Sequence, residues 1–386
     1  MFDVTCLMAD AEARNQLVDW GTEEFNEPIF RKLLGALVTA VNDEARLNAR
    51  GTAAAKLRLR GMLDARLWFI EDRRRRPAIA NERIVRPLFV LGLPRTGSSF
   101  LQALLAQDPA NNWTTSEQLY FPAPYPGESD RGALRKARTD EIMAALGMFD
   151  PVVKALHPWG DKQPEECIFA SELMGWSEQL PACWRVPSYN RLCAQMPTEA
   201  FQMHRQVLQT LQHGSNRQRF ALKSPGHLFR LPELFATYPD ALVVQTHRDP
   251  AKVLPSMAAL VAALRAAGSD EPVRADKIAA TNLKAFAAAL GAVTAFRKIA
   301  PEARQIHDAH FAEIVADPIG AVRTIYDRFA IDLSDAAVAA MTAWLLDDKN
   351  KTPRGRYSLS QYGLTVEQID EHFGSYMRDY NIARER

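Results

Sequence analysis

Residues able to bind anions and move a proton fall at the ends of three apolar runs. The first run, Leu88-Phe89-Val90-Leu91-Gly92, enters the turn Leu93-Pro94-Arg95-Thr96-Gly97 and leaves through Ser98-Ser99-Phe100-Leu101. A strand passing through such a turn into a helix presents backbone N–H groups and the positive end of the helix dipole to one point, which suits a phosphate. Gly92 and Gly97 are separated by four residues, the spacing of a phosphate-binding P-loop. Ser98 stands where an ATPase or GTPase needs lysine, and the nearest cation is Arg95, inside the loop. The second run, Leu242 to His247, leads into Arg248-Asp249-Pro250, where Asp249 can cap a helix that carries Ser256 eight residues after Arg248. The third, Phe220-Ala221-Leu222-Lys223, is followed by Ser224-Pro225-Gly226-His227.

The order Pro94-Arg95-Thr96-Gly97-Ser98-Ser99-Phe100 resembles the 5′-phosphosulfate loop of the PAPS-dependent sulfotransferase superfamily, and the Arg248 and Ser256 pair resembles that family's grip on the 3′-phosphate. PAPS is 3′-phosphoadenosine-5′-phosphosulfate, the sulfuryl donor, and PAP is the product. The resemblance implies that Thr96, Gly97, Ser98, Ser99 and the loop N–H groups hold the 5′-phosphate, with Phe100 near the adenine. It implies that Arg95 and Lys223 face the bridging and sulfuryl oxygens. Arginine stays protonated, so Arg95 stabilises charge by hydrogen bonding without giving up a proton. Near the end of the sequence, Lys351-Thr352-Pro353-Arg354-Gly355-Arg356 resembles the basic segment that folds over the 3′-phosphate, which implies a donor-binding role for Arg354 and Arg356.

An acceptor hydroxyl must lose its proton, and His227 and Glu117 are the two candidate bases. His227 has suitable chemistry near neutral pH, yet stands four residues after Lys223 where animal cytosolic members of the family place histidine two after. Glu117, in Thr115-Ser116-Glu117-Gln118, resembles the base of the tyrosylprotein branch and is the preferred candidate. Glu165 and Glu166 read as helix-start residues favoured by the dipole. The function expected is sulfuryl transfer from PAPS to a hydroxyl of a small, apolar or aromatic acceptor. A P-loop kinase or NTPase would need a lysine before Ser/Thr and a strand-end aspartate for magnesium; a non-catalytic PAP-binding protein would tolerate loss of Lys223.

Elements that position these groups follow from the hydrophobic pattern. Strands at 88–92, 220–223 and 241–247 alternate with helices, predicting an α/β fold, a P-loop-like three-layer sandwich with a central mainly parallel sheet. Phe30, Leu33, Leu34, Leu37 and Val41 recur at helical spacing, predicting an N-terminal helical layer over 1–82 before an α/β domain over 83–386. Within the latter, 113–200 reads as a helical acceptor-binding insertion. It holds Trp113, Trp159, Trp176, Trp184, Tyr120, Phe121, Tyr125 and Tyr189, which line an acceptor pocket or fill a core. Asp317-Pro318 should open a further, purely packing helix.

Composition is that of an ordinary globular chain, with 386 residues, 47% hydrophobic content and a formal net charge of +1, which predicts no nucleic-acid partner. Arg73 to Arg76 read as a solvated helix end. Cys6, Cys167, Cys183 and Cys193 show no metal-ligand spacing and are expected to be reduced thiols with no metal. No signal peptide or uninterrupted membrane-length apolar run is evident, so a cytoplasmic protein is expected, with homodimerisation a role open to the N-terminal helices.

Overall fold

The computed structural model describes residues 1–125, 132–156, 163–217, 219–347 and 357–385. Five parallel strands form one sheet: β1 (Leu88–Gly92), β2 (Asn111–Asn112), β3 (Arg219–Lys223), β4 (Leu242–His247) and β5 (Ile306–His310), in the order β2-β3-β1-β4-β5. Because successive side chains alternate across a strand, each strand feeds two cores. Leu88, Val90, Ala221, Leu242 and Val244 pack on one face against Leu101, Leu104, Val322, Ile325 and Tyr326. Phe89, Leu91, Phe220, Leu222 and Val243 pack on the other against Leu231, Leu234, Val253, Leu254 and Phe373. Burial on both faces explains why β1, β3 and β4 read as continuous apolar runs. Each fully buried side chain of this kind contributes about 1.5–3 kcal/mol. The expected three-layer α/β sandwich is the fold.

Two strands escape the hydrophobic pattern. β2 is two residues long, and β5, Ile-His-Asp-Ala-His, is a half-polar edge strand. Its Asp308 accepts hydrogen bonds from His247 (2.7 Å) and from Arg297 (2.6 and 2.8 Å), so polar contacts as well as apolar packing seat this edge. The Pro318–Arg328 helix opens as Asp317 predicts, its carboxylate accepting from the Gly320 N–H, and buries Val322, Ile325 and Tyr326.

The N-terminal helices and the 113–200 stretch share a single third core. Leu33, Leu37, Leu63 and Trp68 from the Glu27–Asp43 and Ala49–Arg75 helices pack with Phe121, Met174, Trp176 and Tyr189. Buried arginines lock the join. Arg66 donates to the carbonyls of Trp20, Phe25 and Leu173, and burial draws its pKa down to about 9; Arg58 pairs with Glu172. Trp176, Trp184, Tyr120, Phe121 and Tyr189 are all at most 4% exposed, so these rings fill the core rather than line an open pocket. Trp113 and Tyr125 are half-buried, and Trp159 lies outside the described residues. The arginine run is less solvated than its composition suggests: Arg73 is buried over Phe25 and Phe69, while Arg74 and Arg75 reach Glu71 and Arg76 reaches Asp72.

Among the described residues one helix, Ala275–Ile299, is long and apolar enough to cross a membrane, with mean hydropathy 1.4 over its best window. It packs here against the Pro250–Ala266 and Val366–Asp379 helices as a layer of the sandwich, and carries Lys284 midway.

Candidate active site

β1, β3 and β4 are adjacent and parallel, so their carboxyl ends open onto one edge of the sheet, where open α/β folds bind ligands. The loop after β1 is held in a conformation suited to an anion. Gly92 has φ 155° and Gly97 φ 89°. A Cβ at Gly92 would lie 2.2 Å from Thr246 Oγ1, and one at Gly97 2.8 Å from the Phe311 ring, so neither site admits a side chain. Arg95 is also left-handed, at φ 74°. Gly97 caps the Ser98–Leu105 helix with no side-chain hydrogen bond, so no side chain competes for its first N–H groups. Ser98 is buried at this helix start and Ser99 is exposed. Thr96 is different: its hydroxyl donates to Leu93 O (2.7 Å) and lies 2.5 Å from Thr246 Oγ1, pinning the loop to β4 instead of facing a ligand. Phe100 packs against Trp344, with ring centroids 5.7 Å apart.

Arg95, Arg248 and Ser256 come together although 161 residues separate the first from the last. Arg95 Nε donates to Ser256 Oγ at 3.1 Å and its Nη1 to Leu156 O at 2.6 Å; burial lowers the pKa of this guanidinium, with Arg248 adding to the effect. Arg248 Nη1 donates to Arg95 O at 3.0 Å, and its guanidinium stacks 4.0 Å over Phe311. Asp249 caps the Pro250–Ala266 helix through the Ala251 N–H, as its position predicts. Two further residues, which no local pattern announced, cover this strand end. Glu385 accepts a two-pronged bond from Arg248, and Arg384 Nη1 donates to Asp249 Oδ1.

Lys223, the last residue of β3, is 2% exposed and donates from Nζ to Glu166 Oε1 at 2.6 Å. Glu166 is the residue preceding a short helix, Cys167–Met174, but its side chain makes no cap bond there; it meets the lysine instead. Its neighbour Glu165 is buried, with Oε1 accepting from the Glu166 N–H and Oε2 lying 3.4 Å from Ser116 Oγ. Burial drives the Glu165 pKa up to about 7, against the pull of Lys223. The dipole reading of both acids is therefore corrected: they belong to the lysine's surroundings. A pair of adjacent carboxylates after Pro164 was the sequence signal, ambiguous because acids also favour helix starts.

The two expected bases part company with this cluster. His227 is 3% exposed, and its Nε2 lies 3.4 Å from Cys167 Sγ. With His204 these groups have ligand-capable atoms within 4.8 Å of one another, a clustering that no sequence spacing shows. Burial keeps the thiol protonated and both imidazoles neutral, His204 with a pKa of about 3. Phe89 and Phe201 pack on both rings, and Tyr238 OH lies 2.7 Å from His204 Nδ1. The three form an interior contact. Glu117, in the Ser116–Tyr120 helix, is half-buried and holds no side-chain hydrogen bond among the described residues. Arg354 and Arg356 lie outside the described residues.

The donor set fits an anionic nucleotide: a glycine loop that a Cβ would fill, an uncapped helix start, and two guanidiniums with a hydroxyl, one guanidinium already holding a carboxylate. A glycine loop of this kind, in a parallel α/β sheet, with a lysine and an arginine at the ends of the two strands that flank β1, suits a group-transfer enzyme with an anionic donor. The Sulfotransferase family profile matches residues 87–335, and the chain belongs to that family; it is a sulfotransferase and uses a sulfuryl donor. It is 25% identical over 328 residues to the omega-hydroxy-beta-dihydromenaquinone-9 sulfotransferase Stf3 of Mycobacterium bovis, covering 77% of this chain and 76% of that protein. The crystal structure of sulfotransferase STF1 from Mycobacterium tuberculosis superposes with TM-score 0.79 at 32% identity, over 97% of this chain and 99% of that one. Sulfotransferase STF9 from Mycobacterium avium shares the fold, with TM-score 0.83 at 22% identity over 100% of this chain and 98% of that one.

Proposed function

We propose that the chain moves a sulfuryl group from PAPS to the hydroxyl of a small, apolar or aromatic acceptor. The observation that carries this reading is the meeting of Arg95, Arg248 and Ser256 beside a phosphate loop whose lysine is replaced by Ser98. The donor supplies the sulfuryl group on its 5′-phosphate, while the protein orients it and stabilises charge on the phosphate that leaves. Ser98, Ser99 and the N–H groups of the loop, including those of Thr96 and Gly97, hold the 5′-phosphate, with Phe100 towards the adenine. Arg248 and Ser256 hold the 3′-phosphate, joined by Arg354 and Arg356. Lys223 and Arg95 face the developing charge, Lys223 with three N–H donors, one of them engaged by Glu166. An acceptor that is apolar apart from a hydroxyl agrees with the hydroxylated menaquinone derivative in the name of the Stf3 relative.

A kinase reading fares worse, since Arg248 directly precedes Asp249 and that carboxylate is occupied by the Ala251 and Glu385 N–H groups and Arg384, leaving it poorly placed for magnesium. Thermal-shift comparison tests the proposal: PAP and PAPS should raise the melting temperature, and ATP with magnesium far less. Equal stabilisation by ATP, or stabilisation that requires magnesium, would sink it. Labelled PAPS incubated with an extract of host metabolites then identifies the acceptor.

A further inference from the structure

We propose that Glu166 is the general base of the sulfuryl transfer, taking the acceptor's hydroxyl proton from a seat against Lys223. The inference rests on the PAPS-dependent reading above. Lys223 is almost wholly enclosed, whereas the Glu166 side chain is 23% exposed, so the carboxylate bridges the buried lysine and the accessible edge of the sheet. The backbone of Glu165, which leads into it, is fastened on two sides. Gln102, in the helix that follows the phosphate loop, donates to Glu165 O at 3.3 Å, and the Glu165 N–H donates to Thr114 O at 2.7 Å. Lys223 in turn lies opposite Val90, two residues before Gly92 opens the loop. These tethers place one carboxylate between the strand-end lysine and the loop's helix, where an acceptor must approach a donor held by that loop.

Neither expected base shares this position: His227 is turned into the core against Cys167, and Glu117 holds no side-chain hydrogen bond among the described residues. Among the described residues, the charged and titratable groups around Glu166 are Lys223 from β3, its chain neighbours Glu165 and Cys167, and Glu178, with Arg230 3.6 Å from Glu178. Burial raises the Glu165 pKa to about 7, and it is Glu166 that makes the 2.6 Å contact with Lys223. In the transfer, the acceptor oxygen forms its bond to sulfur as the bond from sulfur to the bridging oxygen breaks. The electron pair stays with the 5′-phosphate, towards which Lys223 donates, and the acceptor's proton passes to Glu166.

The test compares wild type, Glu166→Gln and Glu166→Asp. PAP affinity is measured by calorimetry, and PAP release from PAPS is measured with farnesol and with 4-nitrophenol between about pH 5 and 9. Glu166→Gln should keep PAP affinity and lose about 10²-fold to 10⁴-fold in turnover with farnesol. It should lose much less with 4-nitrophenol at the alkaline end, where that phenol is already ionised and needs no base. Glu166→Asp, which keeps a carboxylate, should recover at least about tenfold of the farnesol rate lost in Glu166→Gln. A Gln variant holding more than about a tenth of the farnesol rate, or equal losses on both acceptors, would overturn the assignment and leave Glu166 as a positioning residue for Lys223. If Glu166→Gln does not fold, equal losses on farnesol and 4-nitrophenol in Glu166→Asp overturn it. Failure of wild type to bind PAP is a separate result that sinks the donor reading instead.

Discussion

Glu385 grips Arg248 through both carboxylate oxygens, Nε at 2.7 Å and Nη2 at 2.9 Å, while its own N–H donates to Asp249 Oδ2 at 2.9 Å. A carboxylate thus sits on the guanidinium proposed to hold the 3′-phosphate. The pair is partly exposed, and such pairs are worth about 0.2–1 kcal/mol, so binding PAP must displace a weak competitor. Glu385→Gln should therefore tighten PAP about twofold to fivefold, read by calorimetry at low salt. Unchanged or weaker affinity would mean that Glu385 and the ligand do not share Arg248.

Arg248 and Lys223 should separate binding from turnover. Arg248→Ala removes a contact present in ground and transition states alike, so PAP affinity should fall with turnover at saturation little changed. Lys223→Ala should lower turnover about 10²-fold to 10³-fold, because it opposes charge that develops only as the bridging bond breaks. The reverse pattern would exchange the two roles.

Gly97→Ala should disable the phosphate loop. The added Cβ would lie 2.8 Å from the Phe311 ring in a backbone with φ 89°, and Phe311 is the ring on which Arg248 stacks. Strain of about 1–3 kcal/mol is expected, shown by a lower melting temperature together with at least tenfold weaker PAP binding. A variant with wild-type affinity would show that the loop tolerates a side chain there.

Glu165 makes stability depend on pH in a specified direction. Its carboxyl titrates at 4.5 when unfolded and is raised by burial to about 7 in the fold, so the folded chain binds the proton more tightly and loses stability as pH climbs between those values. Glu165→Gln should match wild type at about pH 4 and be more stable above pH 7, by at most about 3 kcal/mol in urea unfolding. A uniform destabilisation at every pH would contradict this account.

His227→Gln should act on stability. Its ring packs on Phe89, Phe201 and His204, so a buried amide in its place should cost about 1–3 kcal/mol of folding energy, with turnover of the folded enzyme kept within about tenfold. A loss of about 10²-fold or more with an unchanged melting temperature would return His227 to the role of base.

Three of the five strands were legible because burial on both faces demands unbroken apolar runs, and each ends in a polar motif. β5 was not, since its His307, Asp308 and His310 suit an edge held partly by Arg297 and His247. Tyr120, Phe121, Trp176, Trp184 and Tyr189 were ambiguous in the sequence, because a core and a pocket call for the same residues; packing with the N-terminal helices decided for the core.

Local spacing alone determined the glycine loop at 92–98, the strand-end Arg248 with its Asp249 cap, and the three-layer arrangement. Glycine placement, helix-cap residues and runs of apolar residues are written within a few positions of one another. Tertiary structure decided which carboxylate meets Lys223, that His227 turns inward, and that Glu385 covers Arg248. Those outcomes join residues 57, 60 and 137 positions apart, and depend on which side chains the packing leaves buried, a quantity no local pattern carries.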